Sequence, residues 1–217
     1  MKHEQELASL LQAYARQVTR GPHGLLSTND LARIDDHVCD ALTGLEELAG
    51  ALSIVDVGTG GGLPGIPLAL AIPESQVHLV ESVGWKTTFL AECVTALHIA
   101  ARVAVHTARA EDIVGEIGRE TLDAAVARAV ATPAVIAEYL TPFVRVGGKL
   151  LAWSTTTLAA DIRELGSLDQ LGLDTPRVVS ASSPLRADGV LIAWDKVAPA
   201  AERFPRRAGV AKRKPLR

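Results

Sequence analysis

Apolar positions recur along this chain in two rhythms that take turns. Leu7 to Thr19 repeats them every three or four residues, the spacing of an amphipathic helix, and Asn29-Asp30 is placed to cap a second helix running toward Leu48. Short apolar runs of strand length follow at about 52–57, 77–81, 103–107, 122–127, 147–153, 177–181 and 189–195. Helical spacing returns between them at 84–98, 110–118, 133–144 after Pro133, and 156–171, while Gly147-Gly148 marks a turn into the fifth strand. Strands separated by helices predict an α/β fold, a doubly wound sheet of about seven strands with crossovers of one hand. No long helix separates the last two strands, so the final one is expected to run antiparallel. Ligands of such sheets bind beyond the carboxyl ends of the strands at the switch point, which directs attention to the segments just after strands one to four.

The segment after strand one is unusual. Ile54-Val55-Asp56-Val57-Gly58-Thr59-Gly60-Gly61-Gly62-Leu63-Pro64-Gly65 passes from an apolar strand through an acid into a glycine-rich loop. Glycine suits a backbone that turns sharply or lies against a ligand, because it has no Cβ and reaches positive φ. Asp-x-Gly-x-Gly-x-Gly in this place is the pattern by which a Rossmann-like sheet presents S-adenosylmethionine; NAD sites use the neighbouring Gly-x-Gly-x-x-Gly. The next strand, Gln76 to Glu81, ends on a carboxylate about 20 residues past the glycines, where an acid accepts hydrogen bonds from ribose hydroxyls. Asp56 suits an ammonium or sulfonium ligand better than a dinucleotide. A second use is open to it, holding the amides of its own turn.

Composition narrows the class. A chain of 217 residues buries a sizeable core without disulfides or metal. No apolar run is long enough to span a membrane, and Met1-Lys2-His3-Glu4 opens as a charged helix. Cys39 and Cys93 have neither disulfide nor zinc spacing and read as buried reduced thiols, so a cytoplasmic protein with no metal and no membrane partner is expected. The net charge of −3 conceals an asymmetry: residues 202–217 carry seven Lys or Arg against Glu202, leaving 15 cations and 24 acids before them, a formal −9. A basic tail on an acidic body is either a handle for a polyphosphate partner or a segment that folds back on its own acids.

Two further segments fall where the topology predicts function. Ala108-Arg109-Ala110-Glu111-Asp112 follows strand three, where a small residue and carboxylates can flank an adenine or simply favour a helix N-terminus. Strand four ends in Arg128-Ala129, and an arginine there is placed to hold a carboxylate, orient a base or meet a phosphate, or else to form a surface ion pair.

Together, Asp56 to Pro67, Val80-Glu81-Ser82-Val83-Gly84, Ala110-Glu111, Arg128-Ala129 and the tail from Arg203-Phe204-Pro205-Arg206-Arg207 to Lys212-Arg213-Lys214-Pro215-Leu216 resemble the RsmG (GidB) family of bacterial 16S rRNA guanine-N7 methyltransferases. Gly62-Leu63-Pro64-Gly65-Ile66-Pro67 is the distinctive part, and with Asp36-His37 the resemblance covers nearly the whole chain. It implies a class I methyltransferase with a helical N-terminal cap at 1–50, an S-adenosylmethionine domain at 51–200 and a basic tail at 201–217, acting on 16S rRNA in the 30S subunit. By this resemblance and the loop reading, Asp56, Gly58, Gly60, Gly62, Leu63, Glu81, Ala110, Glu111 and Arg128 are cofactor contacts, and Arg128 with His37 are the catalytic candidates; His37 reads equally as a structural histidine. The chain departs from the family pattern where cations are usual: Asp36 stands for an arginine, Trp85 precedes Lys86 where two basic residues are common, Ser154-Thr155 replaces a Lys-Gly pair, and Gly189 or Val190 stands where an arginine commonly opens the last strand. Trp85 and Trp153 are candidates for stacking on a splayed base. The lost cations keep two other readings open, a small-molecule methyl acceptor and a donor-binding protein without chemistry.

Overall fold

The computed structural model describes residues 2–160 and 168–216. Seven strands, β1 (Ser53–Val57), β2 (Gln76–Glu81), β3 (Val103–Thr107), β4 (Leu122–Arg128), β5 (Val144–Thr155), β6 (Arg177–Ser180) and β7 (Gly189–Asp195), form one sheet in the order β3-β2-β1-β4-β5-β7-β6. β1 pairs in parallel with β2 and β4, whereas β7 runs antiparallel to both β5 and β6, as expected for the last strand. The chain winds outward from β1 to β3 and then crosses to β4, so the switch point lies between the carboxyl ends of β1 and β4.

Alternate residues of β1 feed two cores: Ile54 packs on one face, Val55 and Val57 on the other. The first face is covered by α1 (Lys2–Arg20), α3 (Ile34–Leu42), α4 (Gly65–Ala71) and α5 (Gly84–Ala96), with Tyr14, Val38, Ile66 and Phe89 buried together. The N-terminal helices thus share one core with the sheet. The second face is covered by α6 (Ala110–Ile117), α7 (Pro133–Leu140), the 3-10 turn Thr141–Phe143 and the C-terminal α10 (Val210–Arg213). Among the described residues no helix is long and apolar enough to cross a membrane.

Four expected boundaries moved. The helix expected from Asn29 to Leu48 is two, α2 (Thr28–Leu31) and α3, and Ser27 rather than Asn29-Asp30 caps the first, its hydroxyl accepting from the Asp30 amide. α3 stops before Gly44, where an added Cβ would come within 2.6 Å of the Trp153 ring, so the missing side chain is what lets the ring pack there. Helix 133–144 tightens to a 3-10 turn after Leu140. β5 begins at Val144 and runs through Gly147-Gly148, because a Cβ on Gly148 would lie 2.5 Å from the Asp123 carbonyl and glycine alone lets β5 pass β4 that closely. Of the helix expected over 156–171, α8 (Thr156–Ala160) and α9 (Leu168–Leu171) are helical and 161–167 lies outside the described residues. Cys93 is buried, which raises its thiol to about 12, but Cys39 is exposed on α3, contrary to expectation.

Candidate functional site

The glycine loop hangs from the end of β2. Gly58 and Thr59 amides donate to the Val80 carbonyl at 2.8 and 3.2 Å, and Gly62 and Leu63 amides close back on the Thr59 carbonyl. Gly58, Gly60 and Gly62 have φ of +72°, +58° and +100°, values that side-chain-bearing residues rarely adopt. A Cβ on Gly58 would also lie 2.8 Å from Val130 Cγ2. From the N-terminal helix, the buried Tyr14 hydroxyl donates to the Gly61 carbonyl at 3.0 Å. The sequence had offered Tyr14 only as part of an apolar helix face.

Asp56 lies beneath this loop at 0% exposure. Its Oδ2 accepts from the Thr59 hydroxyl at 2.6 Å and the Gly65 amide at 2.7 Å, so the turn-holding use is realised, while Oδ1 is buried without a partner among the described residues. Burial is the leading cause of its carboxyl shifting from 3.8 to about 6, against the lowering effect of those hydrogen bonds. A folded value above the ordinary one means that the fold favours the protonated form, so this group's contribution to stability declines as pH rises from about 4 through 6. Asp56→Asn has no proton to lose. Urea denaturation is expected to show its stability relative to wild type improving between pH 5 and pH 8; an equal difference at both would show that Asp56 titrates normally.

Glu81 is largely buried, taking the Gly60 amide on Oε2 at 3.2 Å and the Val83 amide on Oε1 at 2.9 Å, which ties the end of β2 to the loop. Gly58, Glu81, Ala110, Glu111 and Tyr139 line one pocket at the carboxyl edge of the sheet, and Lys212 from the tail lines it too. Leu63 instead has its side chain in the core with Ile66 and Leu90. Four of the expected cofactor contacts, Gly58, Glu81, Ala110 and Glu111, therefore line a single pocket, Gly60 and Gly62 lie on its loop, and Asp56 and Leu63 support that loop from below.

Arg128 sits at the end of β4, beside a centre that local sequence did not reveal. Asp40, 0% exposed, accepts from Arg128 Nη1 at 3.0 Å on Oδ2, and from Ser183 Oγ at 2.8 Å and Arg186 Nε and Nη2 at 3.0 and 2.8 Å on Oδ1. Arg186 also donates to the Ser154 carbonyl. Arg33 reaches the same turn through the Pro184 carbonyl at 2.7 Å, and holds Asp36 at 2.9 Å. Two guanidinium groups thus lie near positions where cations had been read as lost, each supplied from a few residues away. His37 is buried one helical turn before Asp40; its Nε2 meets Asp30 Oδ1 at 3.2 Å and its Nδ1 has no partner among the described residues. Burial, and then the Arg128 charge, hold its imidazole below the usual value, so it is neutral near pH 7.

The two tryptophans separate. Trp153 is 4% exposed and donates Nε1 to the Asp40 carbonyl at 2.8 Å, which makes it a core residue and removes it as a stacking surface. Trp85 is 43% exposed on the first turn of α5, just past Glu81 and Ser82, with the Lys86 ammonium 5.7 Å from its ring centroid.

The residues present fit a cationic nucleoside ligand. Side chains are absent from the loop at Gly58 and Gly60, an acid ends β2, and Asp56 Oδ1, without a partner among the described residues, lies below.

Comparison with known proteins agrees with this geometry. The profile of the family described as GidB, rRNA small subunit methyltransferase G, matches residues 7–179. The ribosomal RNA small subunit methyltransferase G of Rubrobacter xylanophilus is 37% identical over 226 residues, spanning 98% of this chain and 82% of the relative. That of a Roseiflexus species is 39% identical over 166 residues, spanning 76% and 70%. Among solved structures, a geranyl diphosphate C-methyltransferase from Streptomyces coelicolor A3(2), in complex with Mg2+, geranyl diphosphate and S-adenosyl-L-homocysteine, overlays with a TM-score of 0.58 at 16% identity, covering 78% of this chain and 82% of that one. That likeness establishes the class I methyltransferase fold. The family profile and the near full-length relatives establish more: the chain belongs to the rRNA small subunit methyltransferase G family and is a methyltransferase.

Proposed function

We propose that this protein methylates N7 of a guanine in 16S rRNA within the 30S subunit, with S-adenosylmethionine as donor. Family membership carries the reading. The donor supplies an electrophilic methyl group when bound. Gly58 and Gly60 would admit it against bare backbone, Glu81 would accept its ribose hydroxyls, and Ala110 with Glu111 would flank its adenine.

Guanine N7 carries a free lone pair, so no group need remove a proton before transfer. That suits a site whose histidine is buried and neutral and whose arginine is held by a carboxylate. The protein's task is alignment of N7 with the methyl group, which contributes up to roughly 7–11 kcal/mol when reacting groups are well oriented. Arg128, at the end of β4, and Arg186 are fixed through Asp40 and would present guanidinium groups to orient the base or its phosphate. Missing cations were the argument for a small-molecule acceptor, and Arg33 and Arg186 weaken it.

Trp85, exposed on the first turn of α5 just past Glu81 and Ser82, offers an aromatic face to an unstacked base. Trp85→Ala is expected to raise KM for 30S subunits on the order of tenfold, since one base–aromatic stack contributes about 1–3 kcal/mol. Donor affinity should be unchanged and Trp85→Phe should retain most of the binding; steady-state kinetics with labelled donor would decide, and an unaltered KM in Trp85→Ala removes the stacking role. The reading as a whole is tested by incubating the protein with labelled S-adenosylmethionine and either isolated 30S subunits or a metabolite extract. Label is expected in 16S rRNA; label confined to small molecules would sink the proposal.

A further inference from the structure

The basic tail is committed to the protein's own surface. Phe204 and Ala211 are buried in the core beneath α7. The Arg206 guanidinium forms a two-pronged pair with Glu138, which is only 2% exposed, with Nε–Oε1 at 2.6 Å, and it also donates to the Lys214 carbonyl at 2.9 Å. A fork of this kind fixes both distance and plane. Upstream, Arg119 donates to the carbonyls of Phe204 and, at 3.2 Å, Ala200. Gly209, at φ +77°, then turns the chain into α10, and its amide donates to Glu111 Oε1 at 2.9 Å. Glu111 is therefore held by the tail, and three residues on Lys212 reaches the pocket that Gly58, Glu81, Ala110 and Glu111 line.

We infer that the C-terminal tail forms a wall of the donor pocket and that Lys212 is a donor-binding residue. The inference rests on the reading of that pocket as the S-adenosylmethionine site. The chemistry is complementary: Glu81 and Glu111 supply hydrogen-bond acceptors, whereas the ring nitrogens of adenine and the ribose oxygens need donors. Lys212 brings an ammonium with three N–H groups to a pocket whose other charged lining residues are Glu81, Glu111 and Arg109. Its side chain is otherwise exposed, so losing it removes a contact to the ligand without opening the core. The tail's charge thus has a use that does not involve RNA, and the tail positions Glu111 in the same stroke.

Calorimetric titration of the full-length protein with S-adenosylhomocysteine tests this on three variants. Lys212→Met is expected to weaken binding on the order of tenfold, as for loss of one charge-assisted hydrogen bond. Arg207→Met removes the same charge from an exposed tail position and should bind as wild type. Equal affinities for wild type and Lys212→Met, or an equal loss in Arg207→Met, would overturn the assignment of Lys212. Gly58→Asp reports on the pocket itself: if it binds like wild type, the donor site lies elsewhere and the inference falls with the reading beneath it. Loss of binding in Gly58→Asp alongside intact binding in Lys212→Met would reject the tail's role and leave the pocket standing.

Discussion

Gly58→Asp is expected to lower donor affinity by at least two orders of magnitude while the protein stays folded. Three effects act together at this position. The backbone sits at φ +72°, which costs a side-chain-bearing residue roughly 1–2 kcal/mol. The new Cβ would lie 2.8 Å from Val130 Cγ2, so the residue that follows Arg128-Ala129 must shift. The added carboxylate would project beside Glu81 at the pocket's mouth, placing a second negative charge where ribose hydroxyls are to be accepted. Gly50→Asp is the matched comparison, since Gly50 has φ +81° but open space around it and no place in the pocket. Both variants carry the conformational cost; only Gly58→Asp should lose S-adenosylhomocysteine binding in calorimetry. Thermal denaturation would confirm that each is folded, and similar binding by the two would show that the glycine loop does not cradle the donor.

This half of the site was legible because it is local. The acid, the glycines and Glu81 lie on one strand-loop-helix-strand unit, where chemistry follows from spacing along the chain, and β1, β2 and β7 were expected within a residue or two of where they fall. Asp56 illustrates the limit even there: its place in the motif was plain, but that Thr59 and Gly65 occupy one of its oxygens depends on how the loop closes. The other half was not legible because nothing local links its parts. Asp40 meets Arg128, Ser183 and Arg186 across 88, 143 and 146 residues, and Arg186 lies in a turn with no motif of its own. A comparison position by position therefore finds a cation missing at Gly189 that space supplies from three residues earlier. Trp153 failed as a rim residue for a similar reason. A tryptophan at a strand's end is equally compatible with stacking on a base and with covering Gly44, and only the packing of α3 decides between them. Asp40 had one signal, a carboxylate one turn after His37 on the same helix, which places the two side chains on one face.

Asp40→Asn is expected to be the most destabilising conservative substitution around this centre. Asp40 is fully buried and its two oxygens take four hydrogen bonds, three from the guanidinium groups of Arg128 and Arg186, both themselves mostly covered. An amide keeps the shape but loses the charge, and it turns one acceptor into a donor that faces N–H groups. Leaving buried cations uncompensated typically costs about 3–5 kcal/mol, whereas the intact pair adds little beyond a hydrophobic substitute. The cost should thus come from the arginines left behind more than from the bonds removed. A double variant separates these explanations. If stranded charge is the cause, Asp40→Asn combined with Arg186→Met should be less destabilised than the sum of the two single variants, because the second change removes one of the unpaired cations. Urea denaturation of the four proteins completes the cycle, and strict additivity would show that Asp40 and Arg186 do not depend on each other. Methyl transfer to 30S subunits should follow a different course. The double variant should show no matching relief in activity, since Arg128 has lost the carboxylate that orients it and Arg186 is gone.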